Sequence, residues 1–175
     1  MRYITRIAKI FFLGLFLMTA ANAADFTLRS KAFSSGQNIP KLYSCNGKNI
    51  SPQLSWTNAP ANTKSFVLIL WSPDWPQGTV YKWVLYNIPA NIRELAEGDS
   101  DNLPETISKG QNSMGDDLYR GPCPPDDKPH RYIFTLYAVD DADLDIASSP
   151  QPEEVLSKLK RVTIEKTELA GIFKH

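Results

Sequence analysis

Four side chains of chemically versatile type stand out in this chain: Ser72, Asp74, Lys82 and His130. Serine, histidine and aspartate are the set of a nucleophilic relay, so Ser72, His130 and Asp74 support one reading as a hydrolase. The chain lacks the G-x-S-x-G elbow that often presents such a serine. His130 can donate to an anion, or it is a turn histidine bonded to a backbone carbonyl. Lys82 can meet a phosphate as a point charge, or it snorkels from a strand end. Asp74 sits in Pro73-Asp74-Trp75-Pro76 and either orients His130 or stabilises its own turn. The large ring of Trp75 beside it either walls a pocket or plugs it. The dense turn is also a candidate for a cis Trp75–Pro76 bond, since X-Pro bonds take that form at little cost.

Cys45 and Cys123 are the only thiols. They form a disulfide, remain free, or bind metal. With only His130 and His175 to help, they make a poor zinc set, and no metal is expected. No cofactor motif is present either.

The compartment bears on the thiols. Arg2, Arg6 and Lys9 precede the apolar run Ile10 to Met18, and Ala21-Asn22-Ala23 follows. That is the form of a cleaved signal peptide over residues 1–23, with the cut before Ala24. The run is too short to span a bilayer, and no later segment is apolar enough to cross one. The expected address is periplasmic or secreted, where two cysteines commonly pair. Lysine plus arginine equal aspartate plus glutamate, at 19 each. Loss of the basic leader leaves residues 24–175 mildly acidic, so the chain lacks the electrostatic footprint of a nucleic-acid binder.

Residues 24–175 suit one domain. Ser65 to Trp71 is a continuous apolar run, as in a strand covered on both faces. Val80 to Ile88 is aromatic and β-branched, and period-two alternation puts Lys82 on one face with Val84 and Tyr86. Arg131 to Val139 puts Tyr132, Phe134, Leu136 and Ala138 on one face and Thr135 and Tyr137 on the other. Phe26 to Arg29, Leu54 to Trp56 and Thr167 to Phe173 are shorter strand candidates. One helix starts at Pro152, with Glu153 and Glu154 in its first turn and Lys158, Lys160 and Arg161 near its end. This order predicts a mainly β fold, a β-sandwich with a C-terminal helix packed at one end.

Three segments together resemble the phosphatidylethanolamine-binding protein family, in its bacterial Raf-kinase-inhibitor-like branch. They are YSCNGKNISPQLSW (Tyr43 to Trp56), SPDWPQGTVYKWVLYNIP (Ser72 to Pro89) and YRGPCPPDDKPHRYIFTLY (Tyr119 to Tyr137). They are similar to the family's C-x-G-x-N-x-S-P-x-L-x-W, its D-P-D-A-P with a W-H-W-V-V-x-N-I-P strand, and its Y-x-G-P-x-P-P…H-R-Y-x-F. The resemblance implies a two-sheet antiparallel β-sandwich with a small anion pocket at one end. It implies a pocket built from Asp74, Pro76, Tyr119, Gly121, Pro122, His130 and Tyr132, with backbone amides of the Gly121-Pro122 turn facing the anion. Asn49, Ser51 and Pro52 match the first segment as supporting structure. It also brings Cys45 and Cys123 together, as a disulfide. Ser72 replaces the family's first aspartate, Trp75 its alanine, Lys82 its pocket histidine, and Asn46 a frequent aspartate. Lys82 joins the candidate ligand-binding set for that reason.

The function expected is a non-catalytic binding domain for an anionic small molecule, a phosphate or a phosphoryl headgroup. The alternatives are an inhibitor of a hydrolase or another protein target, and the hydrolase built on Ser72. The resemblance also implies a homodimer.

Overall fold

The computed structural model describes residues 24–175. The expected signal peptide at 1–23 lies outside the described residues. The described chain runs β1 (Thr27–Arg29), β2 (Leu54–Thr57), β3 (Ser65–Ser72), β4 (Val80–Pro89), β5 (Glu94–Leu95), β6 (Ser108–Gly110), β7 (His130–Val139), α1 (Pro152–Val162) and β8 (Thr163–Phe173). Two antiparallel sheets form, a small one in the order β1-β2-β5 and a larger one in the order β6-β4-β3-β7-β8. The mainly β, two-sheet expectation therefore holds.

The apolar run of β3 explains its place at the middle of the larger sheet, since every residue from Ser65 to Leu70 is buried. Phe66, Leu68 and Leu70 point into the core between the sheets, with Trp56, Leu85, Tyr132, Phe134 and Leu136. Val67 and Ile69 point the other way, to a second core with Val84, Tyr86, Val155 and Leu159. Alternation thus divides one strand between two layers of packing. Burying both faces is what a continuous apolar strand requires.

The second core corrects one expectation. Helix α1 does not cap an end of the sandwich; Val155 and Leu159 lie against the outer face of the larger sheet. Its apolar stripe needs a surface to cover, and Val67, Ile69 and Val84 supply one. Pro152 opens the helix and the acidic residues follow, as the sequence suggests. The chain then passes straight into β8, with the Thr163 hydroxyl donating to the Leu159 carbonyl at 2.7 Å.

Strand β8 begins at Thr163, earlier than the Thr167 start expected from its apolar residues. Its first half is exposed, but its backbone still pairs with β7 as far as Val139. Ladder bonds need no side-chain pattern, so an edge segment can be a strand without reading as one. The Trp75–Pro76 bond is trans, against the cis candidate, because no cis peptide bond occurs among the described residues. Trans remains the lower-energy form even before proline.

Candidate functional site

Strand β4 carries a bulge where it pairs with β3. Leu70 faces Trp83 and Trp71 faces Tyr81, which leaves Lys82 as the extra residue. A bulge re-aims side chains that regular alternation would fix. Val84 and Tyr86 join the helix-side core, whereas Lys82 turns into a cleft of about 460 Å³ beside Trp75, Arg120 and Gly121. Lys82 therefore does not share a face with Val84 and Tyr86, as plain alternation implied.

Lys82 is 3% exposed and makes no side-chain hydrogen bond or ion pair among the described residues. Its Nζ lies 5.4 Å from the centroid of the Trp75 ring. An ammonium over an indole face gains a cation–π attraction. Burial is the main influence on Lys82, pushing its pKa from 10.5 down to about 8; the Arg120 charge adds to this and Asp116 opposes it. Trp75 thus walls the cleft and leaves it open.

Arg120 brings a second cation, and Asp116 holds it. The guanidinium donates from Nε and Nη2 to the Asp116 carboxylate. That pairing holds the Asp116 carboxyl below its usual range. Asn112 Nδ2 at 2.5 Å and the Leu118 amide at 3.1 Å complete the carboxylate's partners. The lining then has two cations against one anion, and only the Lys82 charge is unpaired.

The floor of the cleft is where two loops meet. Asn49 takes a left-handed backbone conformation (φ 55°), which asparagine tolerates better than most residues. Its Oδ1 accepts the Gly121 amide at 2.8 Å. That fixes the side-chain amide with its oxygen toward the loop, so Nδ2 is the remaining donor of this cleft-lining residue. Gly121 must be glycine for want of space: a Cβ there would collide with the Tyr43 carbonyl. The Tyr119 hydroxyl donates to that same carbonyl at 2.9 Å, and the Cys45 amide donates to the Pro122 carbonyl at 3.0 Å. Cys45 and Cys123 are bonded across the junction, with α-carbons 5.4 Å apart.

These contacts correct the idea of a backbone anion nest at Gly121-Pro122. The Gly121 amide is taken by Asn49 and the Arg120 amide by the Lys82 carbonyl. The Cys123 amide donates to the Tyr132 hydroxyl at 3.0 Å, and Pro122 has no donor. The amides of this turn are therefore already engaged within the protein.

Of the expected set, Lys82 and Gly121 line the cleft, and Asp74, Tyr119, Pro122, His130 and Tyr132 are not among its lining residues. Asp74 faces Arg131, accepting its amide at 2.8 Å and its guanidinium at 2.9 and 2.6 Å. It does not orient His130, whose Nε2 lies 2.9 Å from Asp126. Ser72 Oγ and His130 Nδ1 are both buried without a hydrogen-bond partner among the described residues. They are therefore not bonded to each other, and Ser72, His130 and Asp74 do not form a relay. A nucleophile with no hydrogen bond to its base is not activated.

Sequence reasoning passed over Arg120 and Asp116. Arg120 sits inside the quoted Tyr119-Arg120-Gly121-Pro122 segment, at a position the family pattern leaves open. The signal that could have found the pair is opposite charge four residues apart beside a candidate pocket.

Residues 29–174 match the family model described as phosphatidylethanolamine-binding protein. A UPF0098 protein of Aquifex aeolicus is 38% identical over 163 residues, covering 91% of this chain and 95% of the relative. A putative phosphatidylethanolamine-binding protein homologue from Chlamydia trachomatis superposes with a TM-score of 0.79 at 38% identity, covering 89% of this chain and 99% of that one. The YbcL protein of Escherichia coli, described as a new member of the mammalian family, superposes with a TM-score of 0.81 at 29% identity, covering 87% of this chain and 99% of that one.

Proposed function

The chain belongs to the phosphatidylethanolamine-binding protein family, and on that premise we propose that it is an exported, non-catalytic binding domain for a phosphorylated or otherwise anionic small group. The observation that carries this reading is Lys82: a buried cation in an open cleft, with no anion of its own. Burying an unpaired charge is costly, and a bound anion would offset that cost. Arg120 and the Asn49 amide stand beside it as further donors to an oxyanion. The family premise supplies the class of ligand. Asp74, His130 and Tyr132 then act from the surrounding framework.

Export rests on the leader-like residues 1–23, and the Cys45–Cys123 bond supports an oxidising compartment. N-terminal sequencing of the exported protein tests it; a start at Ala24 is expected, and a chain still beginning at Met1 would overturn it.

Calorimetric titration with inorganic phosphate and with phosphoethanolamine tests the cleft. Binding by both points to the phosphate group alone, and binding by phosphoethanolamine only points to a headgroup. Added salt should weaken either in part, because the Arg120 charge is partly exposed and screened while buried Lys82 is screened less. No heat at millimolar ligand would sink the reading.

A second reading, docking of a protein on the same face, draws on Met114 and Leu118. They are 47% and 42% exposed, in the loop that carries Asp116. Native mass measurement distinguishes a partner from the homodimer that the family resemblance implies.

A further inference from the structure

Both half-cystines line the same cleft as the two cations. Cys45 is exposed and Cys123 half-buried, so the bond is open to solvent on the Cys45 side. The facing charges are Lys82, which is unpaired, and Arg120 with its partner Asp116. A thiolate that also carries a carboxylate or sulfonate would be drawn to such a cleft, and a cationic thiol repelled. We propose that the Cys45–Cys123 bond is a site of reversible thiolation that takes anionic low-molecular-weight thiols in preference to neutral or cationic ones. It rests on the same positive cleft as the anion-binding reading.

The step is thiol–disulfide exchange. The incoming thiolate attacks the exposed Cys45 Sγ and forms a new S–S bond there. The Cys45–Cys123 bond breaks, and its electron pair leaves on Cys123 Sγ as a thiolate. One disulfide and one thiolate enter, and one of each leaves, so no oxidant is needed. Lys82 and Arg120 favour that step twice, by attracting the attacking anion and by stabilising the departing one.

The junction also makes the step reversible. Opening the bond leaves the Cys45 amide on the Pro122 carbonyl, the Gly121 amide on Asn49 and the Tyr119 hydroxyl on the Tyr43 carbonyl. These contacts keep the Cys123 thiolate beside the mixed disulfide, at high effective concentration. Attack by Cys123 on the Cys45 sulfur then expels the small thiol and restores the bond.

The test uses the mature wild-type protein and three probes: mercaptoethanesulfonate, mercaptoethanol and cysteamine. Rates of opening are read by mass after acid quenching, expressed per thiolate, and divided by the rate of the same thiolate with an uncharged small disulfide, which removes both the thiolate fraction and the intrinsic nucleophilicity of each probe. The anionic probe should be about fivefold faster than the neutral one, and the cationic probe slower by a similar factor, from one net charge near the bond. High salt should bring the three together, and Lys82→Met should narrow the spread. Peptide mapping of the trapped adduct should place it on Cys45. Equal rates for the three probes in wild type, or an adduct on Cys123 instead, would overturn the proposal, and neither depends on a variant folding. Phosphate calorimetry decides the anion-binding reading separately: charge-ordered rates with no phosphate binding sink that reading alone, and phosphate binding with equal rates sinks this one alone.

Discussion

The ammonium of Lys82 stands 5.4 Å from the centre of the Trp75 ring, and these are two of the positions at which the sequence differs from the motifs it resembles. The two changes work together. A lysine in place of histidine puts a lasting charge in the cleft, and an indole in place of a methyl group gives that charge an electron-rich face to lie on. Burial dries the amine, which is the main reason its pKa falls.

Stability should therefore depend on pH through Lys82. Below about pH 8 the folded and unfolded chains both hold the proton, and folding bears the full cost of burying the charge. Between about 8 and 10.5 the folded chain gives up its proton first, so stability rises with pH until the unfolded lysine also titrates. The cost relieved is on the order of 3 kcal/mol. Lys82→Met keeps the bulk without the charge, so it should be more stable than wild type at pH 7 and lose that advantage toward pH 10.5. Urea titrations of both proteins across this range check the sign; a gap that does not change with pH contradicts it.

Phosphate binding should weaken over the same interval from the acidic side. The anion prefers the ammonium, so affinity falls as pH rises above about 8. Near that pH binding should take up protons, and calorimetry in buffers of different ionisation enthalpy reads the uptake directly. Binding without uptake would remove Lys82 from the site.

The disulfide closes a loop with a sequence separation of 78. The chain-entropy model gives up to about 4 kcal/mol for a loop of that size. The double variant Cys45→Ser, Cys123→Ser should lose a few kcal/mol in urea unfolding, on the order of 2–4. The hydrogen bonds that still join the two loops should keep the folded state intact. An unchanged midpoint would show that those bonds alone hold the junction.

Gly121→Ala should be costly for a reason unrelated to backbone freedom. The new methyl would meet the Tyr43 carbonyl and sit 2.7 Å from Asn49 Oδ1. Relieving such a clash costs roughly 1–3 kcal/mol. It should also displace Asn49 and weaken phosphate binding. A lower melting temperature with full affinity would mean that Asn49 does not serve the ligand.

Ser72→Ala should be nearly neutral. The hydroxyl is fully buried and has no hydrogen-bond partner among the described residues. Removing an unsatisfied polar atom relieves its desolvation cost, so stability should hold within about 1 kcal/mol or rise. A loss much beyond that would reveal a partner for Ser72 Oγ.

The sequence alone carried the fold a long way. The apolar run of β3, the alternation of β7 and the Pro-Glu-Glu start of α1 are local signals, because burial on a strand or helix face repeats with the period of the element. The three segments that resemble the family were equally legible, and with them came Asn49, Lys82, Gly121 and both cysteines. What the sequence did not determine is where those side chains point and what they already hold. Period two places Lys82 with Val84 and Tyr86, but the pairing of β3 with β4 inserts a bulge at that residue and turns it into the cleft. The Gly121 amide reads as a free donor until Asn49, far away in the chain, arrives to take it. Asp74 reads as a partner for His130 until Arg131 claims both of its oxygens. Helix α1 shows its apolar stripe in the sequence, but only the outer face of the larger sheet decides what it covers. Each of these depends on strand register or on contact between distant segments, and neither leaves a periodic trace along the chain, because register and long-range contact are set by the packing of the whole domain.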